Sequence, residues 1–112
     1  MITIDAITRT AADRPSEIAL EHGEDYLSWS DYEHAVKRIV PWLNVKLSSA
    51  NATVVFEAHA SIPVFILASA IATLGVPWVA LDPNKPAEVR AAQTKLVAPT
   101  LTIRDGTCDV DI

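Results

Sequence analysis

The sequence predicts an α/β fold, a three-layer unit with a partly parallel sheet and an N-terminal β-hairpin. Three observations carry that prediction. The second half alternates short β-rich runs with helical patterns, and short connections of this kind imply parallel strands joined by right-handed crossovers. The run Thr53-Val-Val-Phe56 is apolar on both faces, as buried parallel strands are. Nearer the N-terminus, Ile18 to Leu20 and Tyr26 to Trp29 flank the turn sequence His22-Gly23-Glu24-Asp25, which reads as a hairpin.

The elements follow in order. Ile4, Ile7 and Ala11 are spaced like one face of a helix, with Thr3 as its cap and Pro15 as its stop. After the hairpin, Ser30-Asp31-Tyr32-Glu33 has the pattern of a capping box, in which the serine takes a free backbone N–H and Glu33 reaches back to the cap. Tyr32, Ala35, Val36, Ile39, Val40 and Leu43 form the helical stripe behind it. Pro41 interrupts that stripe. Its ring clashes with the carbonyl of Lys37 and it has no N–H, so a kink or an early end is expected there.

Ser48 to Asn51 reads as a linker into the valine-rich strand. Ser61 can cap the next helix, with Pro63 in the first turn, where a missing N–H costs little. Ile62 to Leu74 is apolar nearly all round and should be buried on most sides, and Gly75 ends it. Trp78 to Leu81 is a strand stopped by Asp82-Pro83. Pro86 opens a helix to about Val97, with Val89, Ala92, Leu96 and Val97 as its apolar face, and Thr100 to Ile103 is a last strand.

The chain of 112 residues fits a single domain over 1–112, with 105–112 as a frayed tail. Half of it is hydrophobic, which makes a real core possible. A domain of this size leaves much of its surface exposed, so that content reads either as a partner-facing surface or as a count inflated by alanine. The net charge of −5, with no Lys/Arg cluster, argues against a nucleic-acid or anionic-membrane surface. The longest apolar run, Ile62 to Leu74, is too short to span a bilayer, and the N-terminus lacks the pattern of a signal peptide. Cys108 is the only cysteine and reads as a bystander thiol in a polar tail. Together these features read as a soluble, cytoplasmic chain.

Two stretches resemble a known family. Tyr26-Leu-Ser-Trp-Ser-Asp-Tyr32 is similar to a Leu-Thr-Tyr-x-Glu-Leu segment, with Leu27, Ser28, Trp29 and Asp31 at the matching positions. Leu74-Gly75 followed by Val79-Ala-Leu-Asp-Pro83 is similar to a Leu-x-x-Gly-x-x-x-Val-Pro-Leu-Asp-Pro segment, with Ala80 in place of proline, and Pro86 and Arg90 fall where proline and arginine often follow. Both belong near the start of the adenylate-forming ligases, the family of acyl-CoA synthetases and the adenylation domains of nonribosomal peptide synthetases. The resemblance covers about Ile4 to Ile103. Two departures are Ser48 to Asn51 where members often carry Gly-Asp, and Pro41 in a helix that members keep smooth.

The resemblance implies the fold of the family's N-terminal subdomain. For a complete enzyme it implies ATP and magnesium, joining of a carboxylate to ATP, and transfer of the acyl group to a thiol. The matching stretches are architectural in the family. Its phosphate loop, rich in glycine, serine and threonine with a lysine, has no counterpart among Gly23, Gly75 and Gly106, which lie far apart. The expected role is therefore a structural segment, inactive alone, with no cofactor of its own. Its expected partner is a second copy or a chain carrying the remaining ligase parts. The alternative is a stand-alone interaction module derived from the same fold.

Glu57, His59, Asp82 and Asp105 stand at the ends of strands, where open α/β sheets bind ligands. Glu57, His59 and Asp82 read either as a small acid–base or metal site or as ordinary loop polarity and capping. The second is favoured, because a strand-end position is only generic support. No catalytic, cofactor-binding or metal residue is assigned. Trp29, Trp42 and Trp78 read as packing residues, since no basic residues interleave with them.

Overall fold

Residues 3–105 are described by the computed structural model. Helix α1 (Ile4–Asp13) leads to strands β1 (Ile18–His22) and β2 (Asp25–Ser28), then helix α2 (Trp29–Lys46). Strand β3 (Val54–Glu57), helix α3 (Ile62–Thr73), strand β4 (Trp78–Ala80), helix α4 (Ala87–Val97) and strand β5 (Leu101–Arg104) follow. The antiparallel hairpin β1–β2 is one sheet, and a parallel three-stranded sheet in the order β4-β3-β5 is the other. The expected α/β architecture is what the chain adopts. The expected tail begins at Asp105, and the rest of it, with Cys108, lies outside the described residues.

The hairpin closes through a two-residue turn, His22 pairing with Asp25. Gly23 takes φ +62° there, a left-handed backbone that glycine adopts without steric cost.

Helix α2 begins earlier than the sequence pattern suggests. Its cap is Ser28, whose Oγ accepts from the Asp31 N–H at 3.1 Å. Trp29, expected to end the strand, is the first helical residue. The capping box expected at Ser30 does not form, because the Trp29 and Ser30 N–H groups already donate to the carbonyls of Glu17 and Pro15. Glu33 instead pairs with Lys37 one turn on, at 3.3 Å. Thr3 stands at the start of α1 without using its hydroxyl as a cap.

Of the kink or early end expected at Pro41, the early end does not occur: helix α2 runs through it to Lys46. Proline inside a helix costs about 3 kcal/mol. Two facts offset that. Pro41 and Lys37 lie on the exposed side, where water can reach the freed carbonyl. Beyond it, Leu43 and Leu47 are buried, and each buried leucine returns about 1.5–3 kcal/mol.

The core lies between the parallel sheet and helices α1, α2 and α3. Side chains alternate along a strand, so Val54 and Phe56 of β3 face the helices together with Leu101 and Ile103 of β5. Ser61 caps α3 as expected, accepting from the Val64 N–H at 3.3 Å, and Gly75 follows the helix at φ +72°. Ile66 to Ile71 are all buried, which confirms α3 as core. The one hydroxyl among them, Ser69, bonds to the Tyr32 hydroxyl and donates to the Phe65 carbonyl at 2.9 Å.

Helix α4 differs from expectation. Three of its four predicted core residues, Val89, Ala92 and Leu96, are exposed, and Leu96 is 88% exposed. Its half-buried side is Arg90, Gln93, Thr94 and Val97. The helix has turned a largely polar face to the sheet, and the reason lies in the site described below. A second feature of α4 is its end. Ala98 has φ 49° and ψ 61°, the left-handed conformation that a Cβ disfavours by about 1 kcal/mol. Ala98→Gly should therefore raise stability by about 0.5–1 kcal/mol, read as a higher denaturation midpoint at unchanged m-value. An unchanged or lower midpoint would show that the strain is not there.

Candidate functional site

Two polar clusters form at the carboxyl ends of the parallel strands, on the side where α/β sheets receive ligands. Register and alternation decide which residue joins which.

Glu57 is the last residue of β3 and pairs directly with Arg104 of β5. Alternation points both away from the main core, toward α4. There Arg90 of α4 donates from Nη1 to Glu57 Oε1 at 2.5 Å, and Arg104 donates from Nε to Oε2 at 2.8 Å. Arg90 also donates from Nε to the Lys85 carbonyl at 2.9 Å. The Glu57 side chain is only 7% exposed, while Arg90 and Arg104 are 27% and 52% exposed. The Arg104 hydrogen bond holds the Glu57 carboxyl below its ordinary value, with Arg90 adding to it against the cost of burial. A buried carboxylate must be paired, and meeting that need rotates α4 so that Arg90 faces inward. The outward exposure of Val89 and Leu96 follows from this rotation.

His59, two residues past Glu57, joins the second cluster. Its Nδ1 lies 2.5 Å from Asp105 Oδ2, and its backbone N–H donates to both carboxylate oxygens of Asp105 at 3.1 Å. Nε2 lies 3.2 Å from Asn84 Oδ1. Asn84 in turn donates its backbone N–H to Asp82 Oδ1 at 2.9 Å, a local Asx turn. Both ring nitrogens thus face oxygen acceptors, an arrangement that an imidazolium satisfies with two donors. The Asp105 hydrogen bond, then that of Asn84, raises the His59 pKa, and His59 lowers that of Asp105. The His59 and Asp105 side chains are 61% and 49% exposed, so water screens this pair strongly.

The structure therefore separates the residues that the sequence placed together. Glu57 belongs with two arginines under α4. His59 sits with Asp105 and Asn84, and Asp82 joins that group through its hydrogen bond from the Asn84 backbone and a weaker Coulombic pull on His59. Among the described residues, no group of three or more His, Cys, Asp or Glu side chains is placed to hold a metal ion. Both clusters pair inward, each charged group with a partner in this chain. Arg90, Arg104 and Asn84 are the members that sequence reasoning did not place at the site; Arg90 stood out there only as a position of family resemblance. Asn84 had a faint signal, the turn-forming Asp-Pro-Asn-Lys run. Arg104 had none, because only the strand register places it beside Glu57.

No protein-family model and no curated protein matches the chain. Solved structures do. The N-terminal subdomain of NpsA from Klebsiella oxytoca, in complex with anthranilyl-AMSN, matches with a TM-score of 0.78 at 14% identity, over 92% of this chain and 27% of its own. O-succinylbenzoate coenzyme A synthetase (MenE) from Bacillus subtilis, in complex with AMP, matches with a TM-score of 0.75 at 19% identity, over 89% of this chain and 26% of its own. NpsA-ThdA, an artificially fused adenylation-PCP di-domain from Klebsiella oxytoca, matches with a TM-score of 0.78 at 15% identity, over 91% of this chain and 20% of its own. The chain spans about a quarter of the length of the first two. In fold, then, this chain corresponds to the N-terminal portion of the adenylate-forming enzymes.

Proposed function

We propose that this chain is the N-terminal structural segment of an ATP-dependent carboxylate-activating ligase and needs the remaining parts of that enzyme for activity. The observation that carries this reading is the unfinished outer layer. Val89 and Leu96 of α4 are 41% and 88% exposed, Trp78 and Val79 of β4 are 37% and 41% exposed, and β4 has β3 alone as its partner among the described residues. Apolar residues on a helix face, and a strand edge with unpaired backbone groups, both favour association. The fold match supports the same reading, since the matched enzymes continue well beyond the covered portion. In this reading ATP and magnesium are bound by the rest of the enzyme, and the whole assembly is cytoplasmic.

Pyrophosphate exchange into ATP tests it. The chain alone should give only background exchange with amino, aryl and fatty acids. Co-expression with a chain carrying the remaining ligase parts should yield a complex with exchange above background. Exchange by the chain alone, lost on its mutation, would overturn the proposal.

A stand-alone interaction module with the same fold is the second reading. One observation favours it: the charged groups at the strand ends are paired with one another inside this chain. Light scattering over a concentration series separates the two. A segment of a larger assembly should self-associate through its open face. A strictly monomeric chain that neither captures nor activates the catalytic fragment would leave the module.

A further inference from the structure

The ion-paired cluster under α4 carries more positive charge than its carboxylate needs. A groove of about 470 Å³ opens beside it, lined by Glu57, Arg90, Thr94, Lys95 and Arg104 with Ala87 and Ala91. Three cations therefore stand around one carboxylate, in a chain whose overall charge is −5. The carboxylate is fully engaged, one oxygen to each arginine. Among the described residues the arginines are not: Arg104 uses only Nε, with no partner there for its Nη1 or Nη2 groups, and Arg90 uses Nε and Nη1, with none there for Nη2. No ion pair holds Lys95 among the described residues.

We propose that this groove is a binding site for a phosphate group, carried by the free ion or by a small phosphorylated molecule. The chemistry of the lining selects that class. A guanidinium is a planar fork of donors that matches two oxygens of a phosphate at once, and Arg104 is pre-oriented by its bond to Glu57. Lys95 adds a mobile point charge, and Thr94 adds a hydroxyl donor one position before it on the helix. Glu57 has a second role here. It fixes both guanidiniums by one edge each, so ligand binding need not order two long side chains from freedom. A nucleic-acid strand is a poor fit, because three cations in one groove of an acidic chain make no basic stripe for a backbone to follow.

The test is an NMR titration of the full chain with potassium phosphate, at ionic strength held constant with potassium chloride. Saturable shifts are expected at Arg90, Thr94, Lys95 and Arg104, with a dissociation constant of about 1 mM or tighter. Lys95→Gln leaves the Glu57 pairs intact and should weaken binding at least about threefold, the loss of one point charge near a surface. Arg104→Gln should weaken it tenfold or more, and a native-like spectrum of the free variant separates lost binding from lost folding. Glycerol phosphate in a parallel titration distinguishes the sources. Tighter binding of the ester identifies a phosphorylated molecule and equal binding the free ion, and either outcome keeps the site. Shifts that chloride reproduces, shifts that fail to saturate, or binding indifferent to Lys95→Gln would overturn it.

Discussion

Leu67→Asp should abolish the cooperative thermal melt. Leu67 is 1% exposed, in the middle of a stretch of α3 that is buried from Ile66 to Ile71. Removing the leucine side chain alone costs about 2–5 kcal/mol in a core that cannot fully collapse. The aspartate then buries a polar group with no designed partner, for about 1–3 kcal/mol more even when it is neutral. The sum is comparable to the whole stability of a small domain, about 5–15 kcal/mol. Loss of the sigmoidal transition in circular dichroism is the expected result. Leu67→Met keeps volume and polarity and should cost less than about 1.5 kcal/mol. That contrast ties the effect to burial. A Leu67→Asp chain that melts like the parent would mean that α3 is exposed and that the layer order is wrong.

How much of this was legible in the sequence depends on the range of the cause. Helix α3 was readable because its signals are local: a serine cap, a proline in the first turn, an unbroken apolar run and a glycine after its end. The hairpin and the alternation of strands and helices were readable for the same reason. The start of α2 was misread, because two serines lie within reach of that helix start. What chose between them was a contact with Pro15 and Glu17, which the local pattern does not contain. At Pro41 the sequence offers a kink or an early end, and the early end is on offer because propensity counts the lost hydrogen bond and not the burial of Leu43 and Leu47 beyond it. The rotation of α4 was illegible. Periodicity offered Val89, Ala92 and Leu96 as its inner face, and an ion pair between residues 57 and 90 decided otherwise. The candidate site failed in the same way. Spacing gathered Glu57, His59 and Asp82 by their strand-end positions. The pleat then sent Glu57 under α4, while His59, beyond the end of the strand, turned to Asp105 and Asn84.

That same ion pair sets the second large effect. Glu57→Ala should lower stability by about 2 kcal/mol at neutral pH, or roughly 10 °C in the melting temperature of a domain this size. Breaking a buried pair by removing one partner commonly costs about 3–5 kcal/mol, because the other charge is left without compensation. The lower figure applies here because Arg104 is 52% exposed and can turn to water, leaving Arg90 as the stranded cation. Glu57→Gln keeps the shape and removes the charge, so it isolates the electrostatic part. Its pH dependence has a definite sign. The folded state holds the Glu57 carboxyl below the ordinary 4.5, so the unfolded chain takes up the proton first. The carboxylate therefore contributes its full stability above that ordinary value, and the contribution fades as pH falls through the folded one. The stability gap between the parent and Glu57→Gln, measured by urea unfolding, should be constant from pH 8 down to about 5 and should narrow below about 4.5. The absence of any gap at neutral pH would mean that Glu57 acts through shape alone. In that case the inward rotation of α4, and with it the exposure of Val89 and Leu96, would need a cause other than this ion pair.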